Sequence, residues 1–205
     1  MLFIIFAIYN MDKQRKDFYI IHMTGSDSII PLLKDKILYA NKYIKKKYIK
    51  LWGKDYPTRS DNIFTNIYFC PPIFDLYGWI KLVFDPKIIY DQGSAFNVGW
   101  HTAVDKESLL INPNENNIKE INNKLKIIKQ KIIDKSKQTN SAGMLLWKDY
   151  HSHELLFFGR ILLEDYLVAI ICEGYDDKFK NKLRGLVKQY KNDVKIIDNI
   201  SELQC

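Results

Sequence analysis

Five runs of five to seven mostly apolar, β-branched and aromatic residues constrain what this chain can fold into more than any single motif does. They read Phe18–Met23 (FYIIHM), Ile63–Phe69 (IFTNIYF), Ile80–Phe84 (IKLVF), Glu154–Phe158 (ELLFF) and Leu167–Cys172 (LVAIIC). Each has strand length and strand composition, and the last is apolar throughout, as in a strand buried on both faces. Ile37–Ala40 and Val194–Ile197 read as two shorter strands. Helices are inserted between them. After Pro113, the residues Ile118, Ile121, Leu125, Ile128 and Ile132 recur at helical spacing with lysines on the opposite face, and Asp176–Lys191 is a basic amphipathic helix. Ser26 or Asp27 is expected to cap a short helix through Ile29, Ile30, Leu32 and Leu33, with Pro31 tolerated in its first turn. A turn of helix is expected near Phe74–Tyr77, and turn chemistry at Asp91-Gln92-Gly93-Ser94. Many short strands with a few helices between them make an α+β fold.

The 205 residues suit one domain, expected over 18–198, with an extension at 1–17 and a tail at 199–205. Met1–Tyr9 is apolar, but no basic segment precedes it and no small-residue cleavage site follows, so it does not read as a signal peptide. Either Met11 is the physiological start or residues 1–9 add an edge strand or short helix. No apolar run reaches the ~18 residues that span a bilayer, so an intracellular, soluble protein is expected. Cys70, Cys172 and Cys205 form no CxxC and are expected to be free thiols in a reducing interior. A net charge of +7 and a pI near 9.1 permit a polyanionic partner or an anionic cofactor. Lys42–Lys54 holds six lysines and no acid, interleaved with Tyr43, Tyr48 and Trp52. That combination of charge and stacking surface suits single-stranded nucleic acid, and a lysine-rich solvated face over core aromatics accounts for it equally.

Several common chemistries lack their motifs. There is no GxGxxG after a strand, no P-loop and no GxSxG. His151-x-His153 with Glu154 is the one close histidine group, and it lacks a third metal ligand at definite spacing; a solvated loop before a strand accounts for it. Two other features sit at strand ends, where side chains become available to a ligand: His22-Met23-Thr24 closes the first run, and Glu154 opens the apolar run ELLFF.

The order of these pieces resembles the ADP-ribosyltransferase superfamily, and within it the DarT-like DNA ADP-ribosyltransferases. The resemblance rests on Ile21-His22-Met23-Thr24 followed by a short helix and the strand Ile37-Leu38-Tyr39-Ala40. It continues in Tyr68-Phe69-Cys70-Pro71 with Leu76-Tyr77, then in Glu154–Phe158 with Ile161 and Tyr166–Cys172, and covers roughly residues 18–192. It implies a split β-sheet core with inserted helices, an NAD⁺ cleft, and transfer of one ADP-ribose to a nucleic-acid base, DNA above all. A protein acceptor and a catalytically inactive binding module are the alternatives.

The resemblance also implies roles. Glu154 is the catalytic carboxylate, and Arg59 the one arginine standing where the family has its own. His22, Met23, Thr24, Gly25, Ser28 and Tyr39 contact the dinucleotide, and Tyr68 stacks on nicotinamide. Lys45, Lys46, Lys47, Tyr48 and Trp52 are the expected contacts to single-stranded nucleic acid. NAD⁺ is the co-substrate, and no metal is required. The chain departs from the family at Ser28, where Asn is usual, and in having few arginines, which leaves lysines to hold phosphates as point charges.

Overall fold

The computed structural model describes residues 16–40, 62–73, 80–97, 108–113, 118–137 and 153–203. The helical turn expected near Phe74–Tyr77 lies outside them. In chain order the elements are β1 (Phe18–Thr24), α1 (Ser26–Asp35), β2 (Ile37–Tyr39), β3 (Asn62–Phe69), β4 (Ile80–Phe84), α2 (Lys87–Gln92), β5 (Ser94–Asn97) and β6 (Leu109–Ile111). They continue with α3 (Ile118–Ser136), β7 (Glu154–Phe158), β8 (Arg160–Leu162), α4 (Leu163–Tyr166), β9 (Leu167–Ile171), α5 (Asp177–Val187) and β10 (Lys195–Ile197). A 3₁₀ turn follows at Ile200–Glu202.

Eight of these strands form one sheet in the order β10-β9-β4-β1-β3-β7-β5-β6, and β2 pairs with β8 in a separate ribbon. The five runs that opened the sequence reading therefore become β1, β3, β4, β7 and β9, which are contiguous in the middle of the sheet. Neighbouring central strands bury both faces, which is why their composition is so apolar. On one face Ile20, Ile67, Leu82, Phe84 and Phe157 join a core completed by Ile29 and Leu33 of α1, Leu183 and Val187 of α5, and the Ile121, Leu125, Ile128 and Ile132 stripe of α3. On the other, Tyr19, Val83, Ala169 and Ile171 pack with Ile197 and Leu203. Adjacent residues such as Tyr19 and Ile20 go to opposite faces, as strand alternation requires.

Three local expectations are corrected. The residue that caps α1 is Gly25, with no side-chain hydrogen bond, and Ser26 and Asp27 are already helical. The Gly25 carbonyl accepts the N–H groups of Ser28 and Ile29 and so starts the helix. Asp91 and Gln92 end the short helix α2 and do not form a turn; Gly93 alone makes the reversal, at φ +66°. Cys70 is disulfide-bonded, whereas Cys172 is a free thiol fully buried in the core. Cys70 sits at the half-buried end of β3, where a second sulfur can reach it; burial pushes the Cys172 thiol up to about 11 and keeps it unreactive.

Gly93 sets the entry into β5. A Cβ there would lie 2.4 Å from Pro113 Cδ and 2.7 Å from the Ile111 carbonyl oxygen, in a backbone conformation that side chains rarely adopt. Gly93→Ala is expected to cost about 2–4 kcal/mol, from backbone strain plus overpacking, read as a lower denaturation midpoint. An unchanged midpoint would show that β5 and the Pro113 segment can shift apart freely.

Candidate active site

The sheet forks where β1 and β3 part. Their antiparallel ladder runs from Phe18↔Phe69 to Ile21↔Asn66 and stops. Beyond that point β1 continues through His22, Met23 and Thr24 beside β4 alone, in the pairs His22↔Leu82, Met23↔Lys81 and Thr24↔Ile80. The rest of β3, from Thr65 back to Asn62, pairs with β7. The fork separates the residues that end the first run from the strand that Glu154 opens.

His22 spans this fork with its side chain. Its Nδ1 lies 2.8 Å from the Phe64 carbonyl oxygen of β3. A carbonyl only accepts, so Nδ1 carries the proton and Nε2 is left as the acceptor of a neutral ring. Burial pulls the His22 pKa below the ordinary histidine value and outweighs the opposing pull of the Phe64 carbonyl. An acceptor nitrogen at this place can take a hydrogen bond from a ligand hydroxyl.

Glu154 is the first residue of β7 and is 5% exposed. It stands directly opposite Asn97 of β5. The β3–β7 register, which pairs Thr65 with Leu155, sets Asn66 opposite Glu154 when continued by one residue. Asn66, Glu154 and Asn97 thus form a buried polar row across three strands. Ser108 donates to the Asn97 carbonyl oxygen and so orients that amide.

Alternation places Tyr68 on the same face as Asn66 and Glu154, two residues further along β3, which is roughly 7 Å. Tyr68 faces Tyr19 across the ladder and is 4% exposed, so its ring is covered as it stands. His22 belongs to the alternate row and reaches the fork through its ring, not by sharing a face with Glu154. Thr24 is buried beside the start of α1, and its Oγ1 meets no hydrogen-bond partner among the described residues. Met23, Gly25 and Ser28 are half-buried at the same end of β1, Ser28 in the first turn of α1. Tyr39 stands apart. It pairs with Arg160 in the two-stranded ribbon and not in the sheet that carries Glu154. Arg59, Lys45, Lys46, Lys47, Tyr48 and Trp52 lie outside the described residues.

His153 departs from its sequence reading. It is fully buried and not part of a solvated loop, its ring lies 6.0 Å from that of Phe96, and its Nε2 is 3.3 Å from the Ile67 carbonyl. Burial takes its pKa down to about 4. Sequence reasoning also passed over Thr65 and Asn66. The signal available was the pair Thr65-Asn66 in the middle of IFTNIYF, two adjacent polar residues where a buried strand favours apolar ones. Among the described residues no three His, Cys, Asp or Glu side chains gather closely enough to hold a metal ion. No described helix is long and apolar enough to cross a membrane.

Comparison with known proteins adds family and fold. A family model described as a family of unknown function (DUF5846) matches residues 15–135, more than half of the chain. The chain belongs to this family. The DUF5846 match takes in β1, the fork and α3, and ends before β7 and Glu154. A protein of Acanthamoeba polyphaga mimivirus, Uncharacterized protein R11, is 29% identical over 196 residues, which span 92% of this chain and 67% of that protein. Among solved structures the chain is similar to Thermus sp. 2.9 DarT in complex with carba-NAD⁺, with TM-score 0.51 and 13% identity over 92% of this chain and 98% of that one. The complex of the same DarT with ADP-ribosylated ssDNA gives TM-score 0.52 and 12% identity, over 89% and 94% of the two chains. The α+β core is that of a DarT-like fold, as the motif order implied.

Proposed function

We propose that this chain is an NAD⁺-dependent mono-ADP-ribosyltransferase whose acceptor is a nucleic-acid base, in DNA. The observation that carries the reading is the fork. It sets an acceptor histidine nitrogen and the buried carboxylate of Glu154 on either side of one strand, in a fold shared with a protein solved both with an NAD⁺ analogue and with ADP-ribosylated ssDNA.

The chemistry follows from the groups. The bond between nicotinamide and the ribose anomeric carbon breaks, and nicotinamide leaves neutral with the bonding electron pair. The anomeric carbon becomes cation-like, and a fixed carboxylate stabilises that charge as it develops. A ring or exocyclic nitrogen of the base forms the new bond and gives up its proton to Glu154, which acts as general base. His22 accepts a hydrogen bond from a ribose hydroxyl through Nε2. Thr24 and the Gly25 backbone face the cofactor, with Met23 and Ser28 beside them, and Tyr39 lies toward its outer end. Tyr68 stacks on the nicotinamide once its ring is uncovered, and Arg59 supports phosphate. Lys45, Lys46, Lys47, Tyr48 and Trp52 hold the single strand by charge and stacking.

The test is incubation with NAD⁺ labelled in its adenylate half and, separately, single-stranded DNA, duplex DNA, RNA and lysate protein. Label on single-stranded DNA, released with one nicotinamide per transfer, is expected. Label on protein alone overturns the acceptor, and absence of both label and nicotinamide release overturns the enzyme.

A further inference from the structure

We propose that Asn66 and Thr65 of β3 are positioning residues that hold the Glu154 carboxylate in place by gripping the backbone on both sides of it; this rests on the reading of Glu154 given above. Thr65 Oγ1 donates to the Leu155 carbonyl at 2.7 Å. Asn66 Nδ2 donates to the His153 carbonyl, also at 2.7 Å. His153 completes the grip in the other direction, its Nε2–H donating to the Ile67 carbonyl at 3.3 Å. The carbonyls of the residues on either side of Glu154 are therefore held by side chains at the point where the regular β3–β7 pairs end at Thr65↔Leu155.

A strand terminus ordinarily frays, and a carboxylate on a frayed terminus moves. A reacting group has to stay within about 0.5 Å of its productive place, and a displacement near 1 Å costs on the order of a hundredfold in rate. The device also has a cost. Asn66 and Thr65 are 7% and 2% exposed, and apolar residues of similar size would need no partners there. Both polar groups instead point their donors at the two carbonyls that bracket Glu154. Asn66 further stands in the same cross-strand row as Glu154, so it limits sideways movement of that side chain as well.

The experiment compares Asn66→Leu, Thr65→Val and Thr65→Ser with the unmodified chain and with Glu154→Gln. It measures kcat and KM for NAD⁺ by nicotinamide release with single-stranded DNA present, the unfolding midpoint, and amide hydrogen exchange at residues 153–155. Asn66→Leu is expected to lower kcat by about tenfold to a hundredfold with KM within about twofold, and to speed exchange at 153–155. Thr65→Val is expected to do the same more weakly, and Thr65→Ser, which keeps the donor, to recover. Unchanged kcat in Asn66→Leu and Thr65→Val while Glu154→Gln is inactive overturns the positioning role alone. Full activity in Glu154→Gln overturns both readings. Exchange at 153–155 that is indifferent to Asn66→Leu and Thr65→Val overturns the grip whether or not turnover is seen.

Discussion

Glu154→Gln is expected to keep the fold and to lower ADP-ribosyl transfer by about 10²–10³-fold. The amide has nearly the shape of the carboxylate, so it fits the same place opposite Asn66 and Asn97. The negative charge is lost, and with it the proposed stabilisation of the cation-like anomeric carbon; removing one preorganised electrostatic contact of this kind costs about 10²–10³ in kcat. The proton acceptor for the incoming base is lost in the same step. KM for NAD⁺ is expected to move little, because in the proposed reading His22 and the β1–α1 corner carry binding while Glu154 acts on the transition state. Nicotinamide release under saturating NAD⁺ measures the effect directly. Undiminished release with an unchanged unfolding midpoint would remove Glu154 from the chemistry.

The second large effect is on stability and comes from His153. The unfolded chain binds a proton at this ring near the ordinary value of 6.5, while the native ring does so only at about 4. Between those values the unfolded state holds more protons, so stability rises with pH. The contribution is complete above about pH 6.5 and is lost as pH falls toward 4. Integrated over that window it amounts to about 3 kcal/mol, a large share of the 5–15 kcal/mol typical of a domain. His22 is shifted in the same direction by burial and adds to the trend. His153→Phe keeps a ring against Phe96 and removes the titration. Denaturant unfolding at pH 7 and pH 4.5 is expected to show a clearly smaller acid loss in the variant than in the unmodified chain. Equal losses would mean that the ring takes its proton without opening the core.

Much of the fold was legible because period and length are written locally. The strand runs at 18–23, 63–69, 80–84, 154–158 and 167–172 and the α3 stripe each match an element within a residue or two, since every one of them buries most of its apolar side chains. The short elements α2, β5, β6, β8 and α4 were not found. They have three to six residues each, and they form because neighbours hold them: β8 pairs with β2, and β6 lies at the sheet edge beside β5. The environments of the candidate residues were not legible in the sequence. That His22 spends Nδ1 on Phe64 depends on where β1 leaves β3, a contact across 42 positions of sequence. His153 read as a loop residue because His151-x-His153 is polar; its burial depends on Ile67 and Phe96, which are distant in sequence. The same holds for Asn66, whose partner carbonyl lies 87 residues further along the chain.

The most direct test of the account is an experimental structure with NAD⁺ bound. The dinucleotide is expected at the fork between β1 and β3, with a ribose hydroxyl on His22 Nε2 and a Glu154 carboxylate oxygen within about 2.5–3.0 Å of a hydroxyl of the nicotinamide ribose. NAD⁺ bound elsewhere on the chain, or bound at the fork with its nicotinamide ribose beyond the reach of Glu154, would contradict it.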